Sequence, residues 1–171
     1  MKALSFTPPW PNAILHLGKR IENRQWRGCS YRGPILLHAA KGIGTRDDFD
    51  EGVETILRIE RAQSGSSFEH VVRSLGVVDD AANWWRPGLS TLRGGICGRA
   101  RIVDVIDPMP ARSGPPDQSW EAWVSRGGDP DQRRWWFGGF ALVLDDVEPL
   151  PFRPWPGALG LFEVPDSEVP R

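Results

Sequence analysis

Apolar positions along this chain fall in short runs whose period changes from segment to segment. Residues 2–7, KALSFT, read as a short strand. Pro11 suits the first turn of a helix, NAILHL at 12–17 supplies its body, and Gly18 its stop. RIENRQW (20–26) and GPILLHAA (33–40) read as strands, with Gly28 and Gly33 punctuating the link. A helical period returns over 45–62, where Phe49, Val53, Ile56 and Ile59 recur on one face. Thr45 and Asp48 form a capping pair at its start. SSFEHVVRSLG (66–76) predicts another helix, ended by Gly76.

The second half opens on the clearest strand, GGICGRARIVDVI (94–106). There Ile96, Gly98, Ala100 and Ile102 alternate with Cys97, Arg99, Arg101 and Val103, which predicts one small, buried face. Residues 107–118, DPMPARSGPPDQ, predict a loop and 119–127, SWEAWVSRG, a short helix. WWFGGFALVLDDVEPL (135–150) and GALGLFEV (157–164) read as closing strands. There is no internal repeat and no linker long enough to divide the chain. The pattern predicts one α+β domain over residues 1–171: a small, mostly antiparallel β-barrel of about six strands, with flanking helices and a helical insertion at about 42–92.

Composition adjusts this picture in three places. The 19 Gly and 16 Pro argue for many turns and short elements, against a long-helix bundle. Net charge is −1, yet residues 1–46 carry eight Lys or Arg and the single acid Glu22, leaving 13 basic against 21 acidic residues for the remainder. That asymmetry fits either an anionic ligand on the N-terminal part or a basic half packed on an acidic one. Two cysteines without a CxxC spacing predict neither a metal site nor a disulfide framework, and no cofactor is expected. No apolar run approaches the roughly 18–20 residues of a membrane span, so a cytoplasmic protein with no membrane partner is expected.

The stretch GKRIENRQWR (18–27) sets a dense polar cluster between two apolar segments. On a strand, Glu22 and Arg24 are two apart and share a face, with Lys19 just before, at the helix exit. Lys and Arg can bind phosphate, Arg through paired hydrogen bonds. A carboxylate between two cations stays an acceptor and can receive a base's exocyclic amine. The alternative is a local ion-pair network that only orients the turn. Trp10 can stack an unpaired base or cap the core. Ser5 and Thr7 alternate with Phe6 and can line the same cleft, although no Ser-His-Asp set is visible. His38 reads as a core histidine or a cleft residue, and Lys41 as a loop residue overhanging the cleft. The pairs Trp84–Trp85 and Trp135–Trp136 look mainly structural, with one ring of each able to reach solvent, and Trp26 is undecided.

LSFTPPW, GKRIENRQW, YRGPILLHAA, GGICGRARIVDV, WWFGGFALVL and GALGLFEV occur in an order that resembles the ASCH domain family of PUA-like β-barrels. The family signature, G-x-K-x-x-[E/T]-x-R, is read here on Gly18, Lys19, Glu22 and Arg24. The resemblance implies a barrel with a cleft beside the first helix, binding single-stranded RNA, a modified base or a nucleotide-like ligand. Lys19, Glu22, Arg24, Thr7, Trp10, His38 and Lys41 are its candidate ligand residues. Some ASCH proteins are hydrolases of RNA or of acetylated cytidine, with Lys19 and Glu22 then in the chemistry. The amidohydrolase branch carries Thr where this chain has Glu22, so its hydroxyl nucleophile is missing here. A third reading is a protein-interaction domain using exposed Trp and the Pro-rich segment 107–118.

Overall fold

A computed structural model of the chain describes residues 1–25, 29–64, 92–108 and 119–169. Six strands pair into one sheet in the order β2-β5-β4-β3-β1-β6. They are β1 (Lys2–Phe6), β2 (Ile21–Asn23), β3 (Gly33–Ala39), β4 (Gly95–Ile106), β5 (Ala141–Pro154) and β6 (Leu161–Glu163). The helices are α1 (Trp10–His16), α2 (Arg46–Ser64) and α3 (Trp120–Ser125), with a 3-10 turn at Pro130–Trp135. The chain is therefore α+β, as expected. The sheet is mixed, because β1 and β3 run parallel, with Ser5 opposite His38. A parallel pair needs a crossover, and α1 with β2 provides it.

β4 and β5 form the long antiparallel spine, and three register shifts interrupt their ladder. Each such irregularity bends the strands and increases their twist. The curl brings β2 back toward β1, four places away in the sheet: Arg24, just past β2, donates from Nη2 to the Ser5 carbonyl of β1 at 2.8 Å. Leu4, Phe6, Ile14, Leu37 and Ile102 fill the concave side, so α1 docks inside the curl. Gly98 permits that docking, since a Cβ there would stand 2.6 Å from Leu15 Cδ2 and 2.8 Å from the Glu148 carbonyl.

The shifts also correct the expected face of β4. Ile96 packs on the opposite side with Ala3 and Leu36, while Cys97, Ala100, Ile102 and Val105 belong to the concave cluster. Strict alternation holds only from Gly98 to Val103. Segment 135–140 is likewise not strand. Asp129 caps the 3-10 turn by accepting from the Asp131 amide at 2.9 Å, and Trp135 and Trp136 end that turn with both rings buried.

α2 confirms the helical period. Thr45 and Asp48 bond reciprocally at its start (2.8 and 3.1 Å), and Phe49, Val53, Ile56 and Ile59 are buried. Burying one such side chain stabilises by about 1.5–3 kcal/mol, which outweighs the modest helix propensity of the β-branched residues among them. The expected helix 66–76, Trp84–Trp85, Trp26 and most of the loop 107–118 lie outside the described residues. Among the described residues no helix is long and apolar enough to cross a membrane.

Candidate functional site

The polar cluster begins where α1 ends. Leu17 and Lys19 both donate their amides to the Ala13 carbonyl (3.0 and 3.2 Å), and Gly18 takes φ +68° between them. Glycine is wanted there for its backbone, since a Cβ would meet nothing within 4 Å. Two long side chains lock the turn. Buried Gln132 accepts from the Arg20 amide at 2.8 Å and donates to the Gly18 carbonyl at 3.1 Å. Arg20 Nη1 donates to the carbonyls of Ile14 (3.0 Å) and Lys19 (3.1 Å).

This turn drives Lys19 inward, where its side chain is 1% exposed. Its Nζ donates to the Ile21 carbonyl and, at 2.8 Å, to Glu22 Oε2. Burial pushes the Lys19 ammonium below its ordinary range, and the Glu22 carboxylate opposes that shift. Arg24 Nη2 stands 3.3 Å from Glu22 Oε1, and its guanidinium lies 5.0 Å over the Phe6 ring. Its Nε is buried and has no hydrogen-bond partner among the described residues. The three residues thus form a row of cation, anion, cation in which both carboxylate oxygens are engaged. A buried carboxylate persists only when paired in this way.

Two aromatic rings flank the row. Lys19 Nζ lies 5.5 Å from the Trp10 ring, and half-buried Trp10 meets Phe137 at a centroid distance of 5.9 Å. Phe137 is 53% exposed. Asn23 positions it, donating to the Trp135 carbonyl at 2.8 Å and accepting from the Phe137 amide at 2.9 Å. Sequence reasoning missed Phe137 because WWF reads as a continuing strand. The Asp129-Pro130 pair, an N-cap followed by a first-turn proline, was the signal that a helical turn precedes it.

The other sequence candidates separate. Thr7 is exposed, and its carbonyl accepts from the Trp10 amide at 3.1 Å at the start of α1. His38 faces away from the cluster: Leu37 and Ala39 take the concave side with Phe6, so the pleat turns His38 to the opposite face. There its Nδ1 lies 3.0 Å from Ser5 Oγ. Lys41 is exposed, and its carbonyl receives Nε and Nη2 of Arg93 at 3.0 and 2.9 Å. The structure therefore brings together Lys19, Glu22, Arg24 and Trp10, and leaves His38 and Lys41 elsewhere. Among the described residues, Trp120, Trp123, Trp135 and Trp136 are buried, while Trp10 and Trp155 are half-buried.

Taken chemically, the cluster is rich in donors. Lys19 and Arg24 carry its donors, while each oxygen of Glu22 already faces one of those cations. A group bringing a carbonyl or phosphate oxygen, together with a flat face for Trp10 and Phe137, complements it best. Compared with known proteins, the chain matches no family model and no curated protein. In the signature residues, Gly18 stands directly before Lys19, one position nearer than the G-x-K spacing.

Proposed function

We propose that the chain is an ASCH-like, PUA-type domain whose curled sheet forms a small barrel, and that it binds single-stranded RNA or a nucleotide carrying a modified base beside Lys19, Glu22 and Arg24. The observation that carries this reading is the pairing of a donor-rich buried cation row with a partly open aromatic pair. Lys19 and Arg24 place two cations beside the rings, and Trp10 with Phe137 offers ring faces to a base. Glu22 acts mainly as the tether of the two cations, because each of its oxygens already faces one of them. A second reading, a small hydrolase of RNA or acetylated cytidine, draws support from Lys19, whose lowered ammonium beside a carboxylate suits proton transfer.

Binding is tested by fluorescence anisotropy with short labelled RNAs of each base, over a range of salt concentrations. Phosphate contacts give affinity that falls steeply with salt. Phe137→Ala, at an exposed position, is expected to weaken binding by roughly 1–3 kcal/mol, the contribution of one stacked base. Affinity that is indifferent to salt and unchanged in Phe137→Ala and Trp10→Ala overturns the proposal. Product analysis after incubation with RNA and with acetylated cytidine decides the hydrolytic reading, and unchanged substrates reject it.

A further inference from the structure

A nucleotide brings a phosphate as well as a base, and in the Lys19 row the charges are already matched to Glu22. Lys19 turns its ammonium inward on Ile21 and Glu22, while Arg24 engages Glu22 and the Ser5 carbonyl. A cation that meets a phosphate in solvent has to come from outside the row, and the turn leading to Phe137 holds one. Arg133 lies on the 3-10 turn Pro130–Trp135 and is exposed. Its guanidinium stands 4.6 Å from the Trp136 ring and 5.7 Å from the Trp120 ring. These two indoles are nearly parallel, at 11°.

This arginine differs from an ordinary solvated cation in two ways. It is held in place: Nη1 donates to the Trp136 carbonyl at 3.1 Å, and the Phe137 amide of that same peptide donates to Asn23 Oδ1 at 2.9 Å. The peptide that leads into Phe137 is therefore gripped at both of its polar atoms, which ties the position of the guanidinium to that of the ring. Stacking against two indoles restricts the long side chain further, so less rotamer freedom remains to be lost when a ligand binds. Its charge is also unmatched. Arg99 pairs with Glu148, Arg101 with Asp146 and Arg153 with Glu168, whereas Arg133 has no ion pair among the described residues. Asp129, on the same turn, accepts from the Asp131 amide instead. Among the described residues the bond to Trp136 is the hydrogen bond this guanidinium makes, and its other N–H groups suit the oxygens of a phosphate.

We propose that Arg133 is the phosphate-binding residue of the site. The ligand is then a single strand of RNA whose backbone crosses the 3-10 turn, with one phosphate on Arg133 and the neighbouring base on Phe137 and Trp10. The proposal rests on the RNA-binding reading given above and adds to it the residue that makes the binding salt-dependent.

The test is fluorescence anisotropy of a short labelled single-stranded RNA at several salt concentrations. It compares the wild type with Arg133→Gln, Arg133→Lys and Phe137→Ala. Arg101→Gln is the control, since it removes a charge on the convex face. One phosphate contact contributes about 0.7 to the slope of log affinity against log salt for single strands. Arg133→Gln is expected to flatten the slope by about that amount and to weaken binding about five- to tenfold at 0.1 M salt. Arg133→Lys keeps the charge without the planar fork, so the wild-type slope should return with a smaller loss of affinity. Phe137→Ala should weaken binding and leave the slope alone, and Arg101→Gln should change neither. Thermal unfolding of each variant checks that the fold is kept, and a merely structural Arg133 would not move the slope. RNA binding that depends on Phe137 but keeps its slope in Arg133→Gln overturns the proposal and leaves the RNA-binding reading standing. An equal flattening in Arg101→Gln also overturns it, because overall charge is then the cause. Wild type without measurable affinity for RNA removes the reading and Arg133 with it.

Discussion

Replacing Lys19 by methionine isolates the charge at the centre of the cluster, since methionine keeps most of the buried stem's length and volume. The ammonium makes two bonds, to the Ile21 carbonyl and to Glu22 Oε2. Its removal leaves a carboxylate of a residue only 6% exposed facing one remaining cation, Arg24, at 3.3 Å. Breaking a buried ion pair from one side costs about 3–5 kcal/mol. Arg24 retains part of the compensation, so Lys19→Met should cost about 3 kcal/mol. A substitution at Lys19 is therefore expected to act on the fold as well as on ligand affinity. Glu22→Gln keeps the length and one acceptor oxygen and should cost about 1–2 kcal/mol, close to a hydrogen bond to a charged group. The double variant removes both charges together. It should be more stable than the sum of the single costs implies, by about 1–3 kcal/mol of coupling. Urea unfolding of the four proteins, with equal slopes, measures the cycle. Strict additivity, or a loss below about 1 kcal/mol in Lys19→Met, refutes the buried network.

Two further outcomes follow from packing and burial. Gly98→Ala should destabilise by about 1–3 kcal/mol in urea unfolding, because its Cβ meets Leu15 and the Glu148 backbone; a neutral effect would mean α1 does not dock at that depth. Burial pushes the Cys97 thiol up from 9.0 to about 12, so the native state keeps a proton that the unfolded chain releases. Stability should therefore fall as pH rises from about 9 to 12, at up to about 1.4 kcal/mol per unit. Cys97→Ala should lack that decline relative to wild type, and a thiol reagent at pH 8 should label half-buried Cys29 well before Cys97.

What the sequence made legible is what local chemistry decides. The Thr45–Asp48 cap and the period of Phe49, Val53 and Ile56 lie within one helix, and the helix is as they predict. Gly18 as a stop follows from backbone freedom alone. The β4 pattern was legible as a strand but not as a face, because its bulges depend on β5, some forty residues away. In the cluster, the spacing of Glu22 and Arg24 foretold their neighbourhood. It did not foretell the burial of Lys19, which Gln132 and the end of α1 impose from outside the motif. From sequence His38 reads either as a core histidine or as a cleft residue, because a lone polar side chain in an apolar strand fits both. The parallel pairing with β1 puts it beside Ser5 on the other face, and no local pattern announces that pairing.

β1 has as its two neighbours β3 and β6, and Lys2 pairs with Glu163 across nearly the whole chain. During synthesis β1 must therefore wait for β6. Until residue 161 has appeared, one edge of β1 stays unpaired, and the convex face that Val164 later covers stays open. Loop closure over that distance precedes the contacts that reward it, so the completed sheet is a late and slow event in folding. Variants along β6 should then act on how fast the native state unravels more than on how fast it forms, since these contacts are absent from an early nucleus.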